Sequence, residues 1–177
     1  YKVTGVQTCA LPIWIDPCFL CYTPPADAPE PAMPAADAPI TFGSFNNVLK
    51  VSDRTVELWA KVLHAVPGSR MLMKSSGQDG DFMRQGLLAR FERHGIPADR
   101  ILLEPYAAGR DAHLRMYERV HVALDTVPYN GTTTTCEALW MGVPVVALLG
   151  DRHAARVSAS LLRAAGCGDW VAHSPDE

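Results

Sequence analysis

The chain carries too little positive charge for a nucleic-acid surface. Its 16 Lys and Arg stand against 19 Asp and Glu, a net charge of −3, whereas binding a phosphate backbone calls for a basic excess. No apolar run approaches the roughly 20 residues that a membrane helix needs. The stretch Val143 to Leu149 is too short for that and reads as a buried strand. Cysteines are few and odd in number, 5 in all, and they form no disulfide-like framework. A reducing, cytoplasmic compartment is the default reading. Neither GxGxxG nor the P-loop pattern GxxxxGK[ST] occurs, so the common dinucleotide and P-loop readings lack support.

What is present is an ordinary soluble composition. Of 177 residues, 48% are apolar and 20% charged, enough for one domain with a real core. The first 13 residues stand apart. Val3 to Ile13 reads VTGVQTCALPI, like a translated sequencing-library adapter, which would make Cys9 foreign to the fold. Gln7, Thr8 and Pro12 interrupt any signal-peptide core there. The far end stops at SPDE with no terminating signal, so both ends read as cut. From Pro24 to Pro39 the chain is rich in Pro, Ala and acid. Proline lacks an N–H and fixes φ, so this stretch neither continues a helix nor pairs as a strand. Residues 14–39 therefore read as an extended linker, and 40–177 as the folded lobe.

Within that lobe strand and helix patterns alternate. Strands are expected at Ile40 to Phe45, Arg70 to Met73, Arg100 to Leu103, His121 to Leu124 and Val143 to Leu149. Helices are expected at Asp53 to Ala65, Asp81 to His94, Asp111 to Glu118, Thr133 to Met141 and Ala154 to Ala165. Val56, Trp59, Ala60 and Leu63 share one face of the first helix, with Ser52 or Asp53 as its N-cap. Phe82, Leu87, Leu88 and Phe91 align roughly in the second. Trp59 and Trp140 read as core residues. Single helices between strands imply right-handed crossovers and a parallel, Rossmann-like α/β sheet covered by helices on both faces. Ligands of such sheets sit beyond the carboxyl ends of the strands. That directs attention to the loops Asn46 to Lys50, Pro105 to His113 and Asp125 to Thr135.

The last of these is the most informative. Pro128, Asn130 and Gly131 make a tight turn, four threonines follow (Thr132 to Thr135), and a helix begins. Free N–H groups, the positive end of the helix dipole and several hydroxyls together suit a phosphate. Glu137 lies one helical turn after Thr133, placed to accept hydrogen bonds from ribose hydroxyls. The same run also reads as a plain capped helix whose threonines fill a turn.

The segments FGSFNNVLKVS, TVELWAKVLHAVPGS, DTVPYNGTTTTCEALWMGVPVV and GDRHAARVSASLL resemble, in this order, the C-terminal catalytic lobe of the protein O-GlcNAc transferase/SPINDLY family. The likeness runs from about Pro17 to the end. It implies the second lobe of a GT-B glycosyltransferase, the one that holds most of the sugar-nucleotide donor. The implied reaction is inverting transfer of GlcNAc from UDP-GlcNAc to Ser or Thr hydroxyls of proteins. A SPINDLY-like use of GDP-fucose and a non-catalytic donor-binding or TPR-linked scaffold are the alternatives.

By the same resemblance, Lys50 in FNNVLK is the lysine that stabilises the leaving diphosphate. Asn47 stands where many relatives have a longer glutamine that meets the donor. Thr132, Thr133 and Thr134 hold the diphosphate, with Gly131 before them; animal relatives carry histidine where this chain has Thr132. Glu137 stands for the ribose-binding acid and His113 for the base-contacting histidine. Arg110 is a weaker base or phosphate contact. Arg156 and Ser158 match a segment near the far end of the donor without an assigned role. The family's first lobe and TPR array would supply the acceptor groove and general base, so the chain alone is expected to turn over poorly. No metal or other cofactor is expected. Asp79-Gly80-Asp81 has the DxD form but precedes a helix, where aspartates cap. Cys18 and Cys21 form a CxxC with no second pair for zinc.

Overall fold

The computed structural model describes residues 18–74, 81–105 and 107–177. Residues 1–13 with Cys9, Tyr106, and Asp79-Gly80 of the DxD pattern lie outside the described residues. The segment from 18 to 40 contains no helix or strand, as its proline content requires. It nevertheless lies against the lobe: Cys18, Leu20 and Tyr22 pack on buried Cys136, Val157 and Leu161.

Six strands follow: β1 (Thr41–Ser44), β2 (Arg70–Lys74), β3 (Ile101–Glu104), β4 (Val122–Leu124), β5 (Val145–Leu148) and β6 (Val171–Ala172). They form one parallel sheet in the order β3-β2-β1-β4-β5-β6. The strand order reverses between β1 and β4, and ligands of such sheets bind beyond the carboxyl ends of the strands at that point. The helices are α1 (Asp53–Ala65), α2 (Asp81–Glu92), α3 (Arg110–Arg115), α4 (Thr133–Trp140) and α5 (Val157–Ala164). Ser52 caps α1, its hydroxyl accepting the Thr55 N–H at 3.1 Å. Gly142 and Gly166 follow α4 and α5 at φ of 74° and 77°, the left-handed geometry that ends a helix.

The core has two parts, one on each sheet face. Helices α1 and α2 bury Val56, Trp59, Leu63, Leu87 and Phe91 against Phe42, Met71, Met73 and Ile101. Helices α3, α4 and α5 bury Leu114, Ala138, Ala159 and Leu162 against Leu72, Ala123, Val145 and Ala147. Among the described residues, no helix is long and apolar enough to cross a membrane.

Four expectations need correction. Trp140 is 46% exposed, because it lies two residues past deeply buried Ala138, about 200° around the helix. Phe82 is exposed as well; it precedes buried Leu87 by five residues, about 140° off that face. Strand β5 is interior in the sheet order, yet Val146 is 41% exposed. Helices α1 and α2 cover the β1–β3 side of that sheet face, and an open apolar groove remains beside Trp59 and Val62, floored by Leu124, Val146 and Leu148. Strand β6 was not expected at all, since two residues carry no periodic signal.

This packing sets a stability contrast. Leu72→Ala, at a site with no exposure, should lower the unfolding free energy by about 2–5 kcal/mol. Val146→Ala should cost under about 1 kcal/mol. Urea midpoints of the two variants check the difference.

Candidate functional site

The site is built around the carboxyl ends of β1 and β4. Asp125 follows β4 directly and is almost completely buried. Its Oδ1 accepts the Gly131 N–H at 2.7 Å and the Thr126 N–H at 2.8 Å. Asn46, buried just after β1, donates to the same oxygen at 3.3 Å. The Asn46 carbonyl oxygen in turn accepts the Thr134 hydroxyl at 2.8 Å. One carboxylate thus folds the turn from 125 to 131 back on itself and docks it on β1. Trp59 and Thr55 of α1 hold the other side, donating to the carbonyls of Asp125 at 3.2 Å and Val127 at 2.7 Å.

Gly131 is the tightest point of this turn. A Cβ there would lie 2.6 Å from the Thr134 hydroxyl and 2.8 Å from that of Thr135. Ser158 of α5, fully buried, donates to the Gly131 carbonyl at 3.1 Å and meets the Thr135 hydroxyl at 2.9 Å. Tyr117 fixes the back of α4 through the Thr134 carbonyl at 3.1 Å. Thr132 stands at the N-cap position of α4, and among the described residues no side-chain bond of it caps this first turn. A helix start left in that state can accept an anion. Thr133 is exposed there, and Thr132 and Thr134 are half-buried.

Lys50 comes to the same place. It ends a short 3-10 turn, Val48–Lys50, and its ammonium donates to the Asn130 carbonyl at 3.0 Å. It also lies 4.1 Å from the centre of the Tyr129 ring, a cation–π contact. Burial pulls the pKa of this ammonium down, and the Asp125 carboxylate opposes that pull. Asn47 is exposed, and its side-chain oxygen caps the 3-10 turn by accepting the Leu49 N–H at 2.9 Å.

Glu137 and His113 form a second cluster one turn along α4. His113 Nε2 lies 2.9 Å from Glu137 Oε2, with both side chains largely covered. Arg110 opens α3 and is exposed. Lys50, Gly131 and Thr132 to Thr134 are thus brought together by the turn, and Glu137 with His113 lies farther along the helix.

Sequence reasoning passed over four residues of this arrangement. Asn46, Asp125 and Ser158 had been within view, the first two as the opening residues of flagged loops. Lys74 was not: it ends β2, is only 3% exposed, and meets His113. The loop after β2 had not been flagged, although a lysine closing an apolar strand is itself a signal. Among the described residues no cluster of three or more His, Cys, Asp or Glu could hold a metal ion.

An open, parallel Rossmann-like sheet with helices on both faces is the class of structure found in GT-B glycosyltransferases. The family model of glycosyl transferase family 41 matches residues 32–177, and the chain belongs to that family. It is 43% identical over 164 residues to an Arabidopsis thaliana protein named as a probable UDP-N-acetylglucosamine–peptide N-acetylglucosaminyltransferase SPINDLY. That match covers 90% of this chain and 18% of the relative. A Caenorhabditis elegans UDP-N-acetylglucosamine–peptide N-acetylglucosaminyltransferase is 33% identical, over 80% of this chain and 12% of its own length. A solved mutant of the Thermobaculum terrenum O-GlcNAc transferase superposes with a TM-score of 0.80 at 38% identity, covering 86% of this chain and 29% of that one. The chain therefore spans under a fifth of the curated relatives it matches.

The buried acid yields a pH prediction. Burial raises the Asp125 pKa from 3.8 to about 6, against the lowering pull of Ser158 and of the Gly131 and Thr126 N–H groups. A carboxyl raised on folding contributes stability below its unfolded pKa and loses it as pH rises through the folded value. The loss is on the order of 3 kcal/mol between pH 4 and 7. Asp125→Asn should flatten that part of the stability–pH curve, measured by urea unfolding across the range. An unchanged slope would assign the dependence to other groups.

Proposed function

We propose that this lobe binds the nucleoside diphosphate of a sugar donor, as one half of an enzyme that moves GlcNAc from UDP-GlcNAc to Ser or Thr hydroxyls of proteins. One observation carries the reading: the Lys50 ammonium sits at the turn that leads into the uncapped start of α4. The diphosphate lies against the N–H groups and hydroxyls of Thr132, Thr133 and Thr134. Negative charge grows on it as the glycosidic bond breaks, and Lys50 offsets that charge where little water competes. Glu137 faces the ribose and His113 the nucleoside end, with Arg110 at its margin. Asn47, occupied as a cap, contributes through its amide group.

Family membership and the relatives' names support the donor and acceptor classes. An ammonium, helix amides and hydroxyls suffice to hold the diphosphate, so no metal enters the reading. Four unpaired cysteines among the described residues fit a reducing, cytoplasmic setting. The general base and the acceptor groove belong to the family's first lobe and its TPR array, outside these 177 residues. Sugar transfer by this chain alone should accordingly be negligible.

Calorimetric titration of the chain with UDP and with GDP tests the donor. UDP should bind, EDTA should leave its affinity unchanged, and Lys50→Ala should weaken it roughly 10- to 100-fold, the range for a hydrogen bond to a charged group. Unaltered affinity in the lysine variant contradicts its role. Tighter binding of GDP would reassign the donor to a guanosine-diphosphate sugar such as GDP-fucose.

A further inference from the structure

The His113 imidazole is held at both nitrogens. On one side Nε2 lies 2.9 Å from Glu137 Oε2. On the other, Nδ1 lies 2.5 Å from the Lys74 ammonium. The ring also packs near Phe45 and Tyr117, with centroid distances of 6.0 and 5.8 Å. Three elements that are distant in sequence converge here: the end of β2, helix α3 and the second turn of α4.

We infer that Lys74 is a positioning residue of the donor site. Its ammonium fixes His113 as the Nε2–H tautomer, and that N–H in turn holds the Glu137 carboxylate where a ligand hydroxyl meets it. The link between Lys74, His113 and Glu137 stands on geometry, and its meaning for ligands rests on the donor reading above.

The chemistry permits few other assignments. A carboxylate only accepts hydrogen bonds, so Nε2 must donate to Glu137. An ammonium only donates, so Nδ1 must offer its lone pair to Lys74. A doubly protonated ring would direct an N–H at a cation. The ring is therefore neutral, with its proton on Nε2. Lysine is rarely buried without an acceptor, and the ring nitrogen supplies one. Burial draws the Lys74 pKa down while Glu137 draws it up, so the carboxylate at the far end of the chain helps keep the lysine charged.

Imidazole 15N–1H correlation spectra of the chain at neutral pH, without ligand, test the link directly. Native His113 should show an unprotonated Nδ1 and a protonated Nε2. Lys74→Met should lose this single tautomer and bind UDP about tenfold more weakly, the scale of one charged hydrogen bond. Lys74→Arg retains a cationic donor and should preserve the tautomer and most of the affinity. A native spectrum with Nδ1 protonated overturns the inference. So do an unaltered tautomer and UDP affinity in Lys74→Met. Should that variant fail to fold, the native spectrum and Lys74→Arg still decide. A native chain that ignores UDP overturns the donor reading, while the tautomer independently decides the role of Lys74.

Discussion

A single buried carboxylate organises the working end of this lobe. Asp125 emerges from the central strand β4 and gathers the Gly131 and Thr126 N–H groups and the Asn46 amide onto one oxygen. The turn from 125 to 131 doubles back on these bonds together with those of Thr126 with Tyr129 and of Asn130 with Thr126. The arrangement is costly, because burial opposes the charge and lifts the carboxyl toward neutrality. What the cost secures is a helix start held rigidly over the sheet, with Lys50 beside it. Electrostatic stabilisation depends on groups already in place before charge develops. The buried network of Asn46, Thr135 and Ser158 serves that end.

Much of this was legible from residues alone. Alternating strand and helix patterns fixed a parallel α/β sheet, and the turn residues from Pro128 to Gly131 marked where it would open. Helix periodicity was less faithful for large aromatics. Phe82 and Trp140 look apolar in composition, but a step of two or five residues along a helix carries a side chain away from the buried stripe. The exposed face of β5 was illegible for another reason. An apolar strand reports that both sides prefer burial, not which element covers each. The residues proposed to hold the donor fell in loops that topology alone selects, whereas Lys74 hid at the end of an apolar strand. Its role depends on His113, 39 positions away, and such a pairing is invisible before the chain is folded.

The two clusters divide the site chemically. Near the β1–β4 junction lie an ammonium, the amides of a helix start and threonine hydroxyls, all suited to anionic oxygen. One turn along α4 lie Glu137 and the His113 ring, suited to hydroxyl donors and flat rings. A nucleoside diphosphate has these features in this order. The residues ahead of the Pro-rich stretch add a further constraint, since Leu20 and Tyr22 pack on Cys136 of α4 and on Val157 and Leu161 of α5.

The most direct measurement is backbone amide shift mapping of the chain during UDP addition. A diphosphate gripped at the start of α4 predicts the largest changes at Gly131 through Thr135, with a second group at His113 and Glu137. Changes concentrated in the open groove beside Trp59 and Val146, or none at saturating UDP, would contradict it.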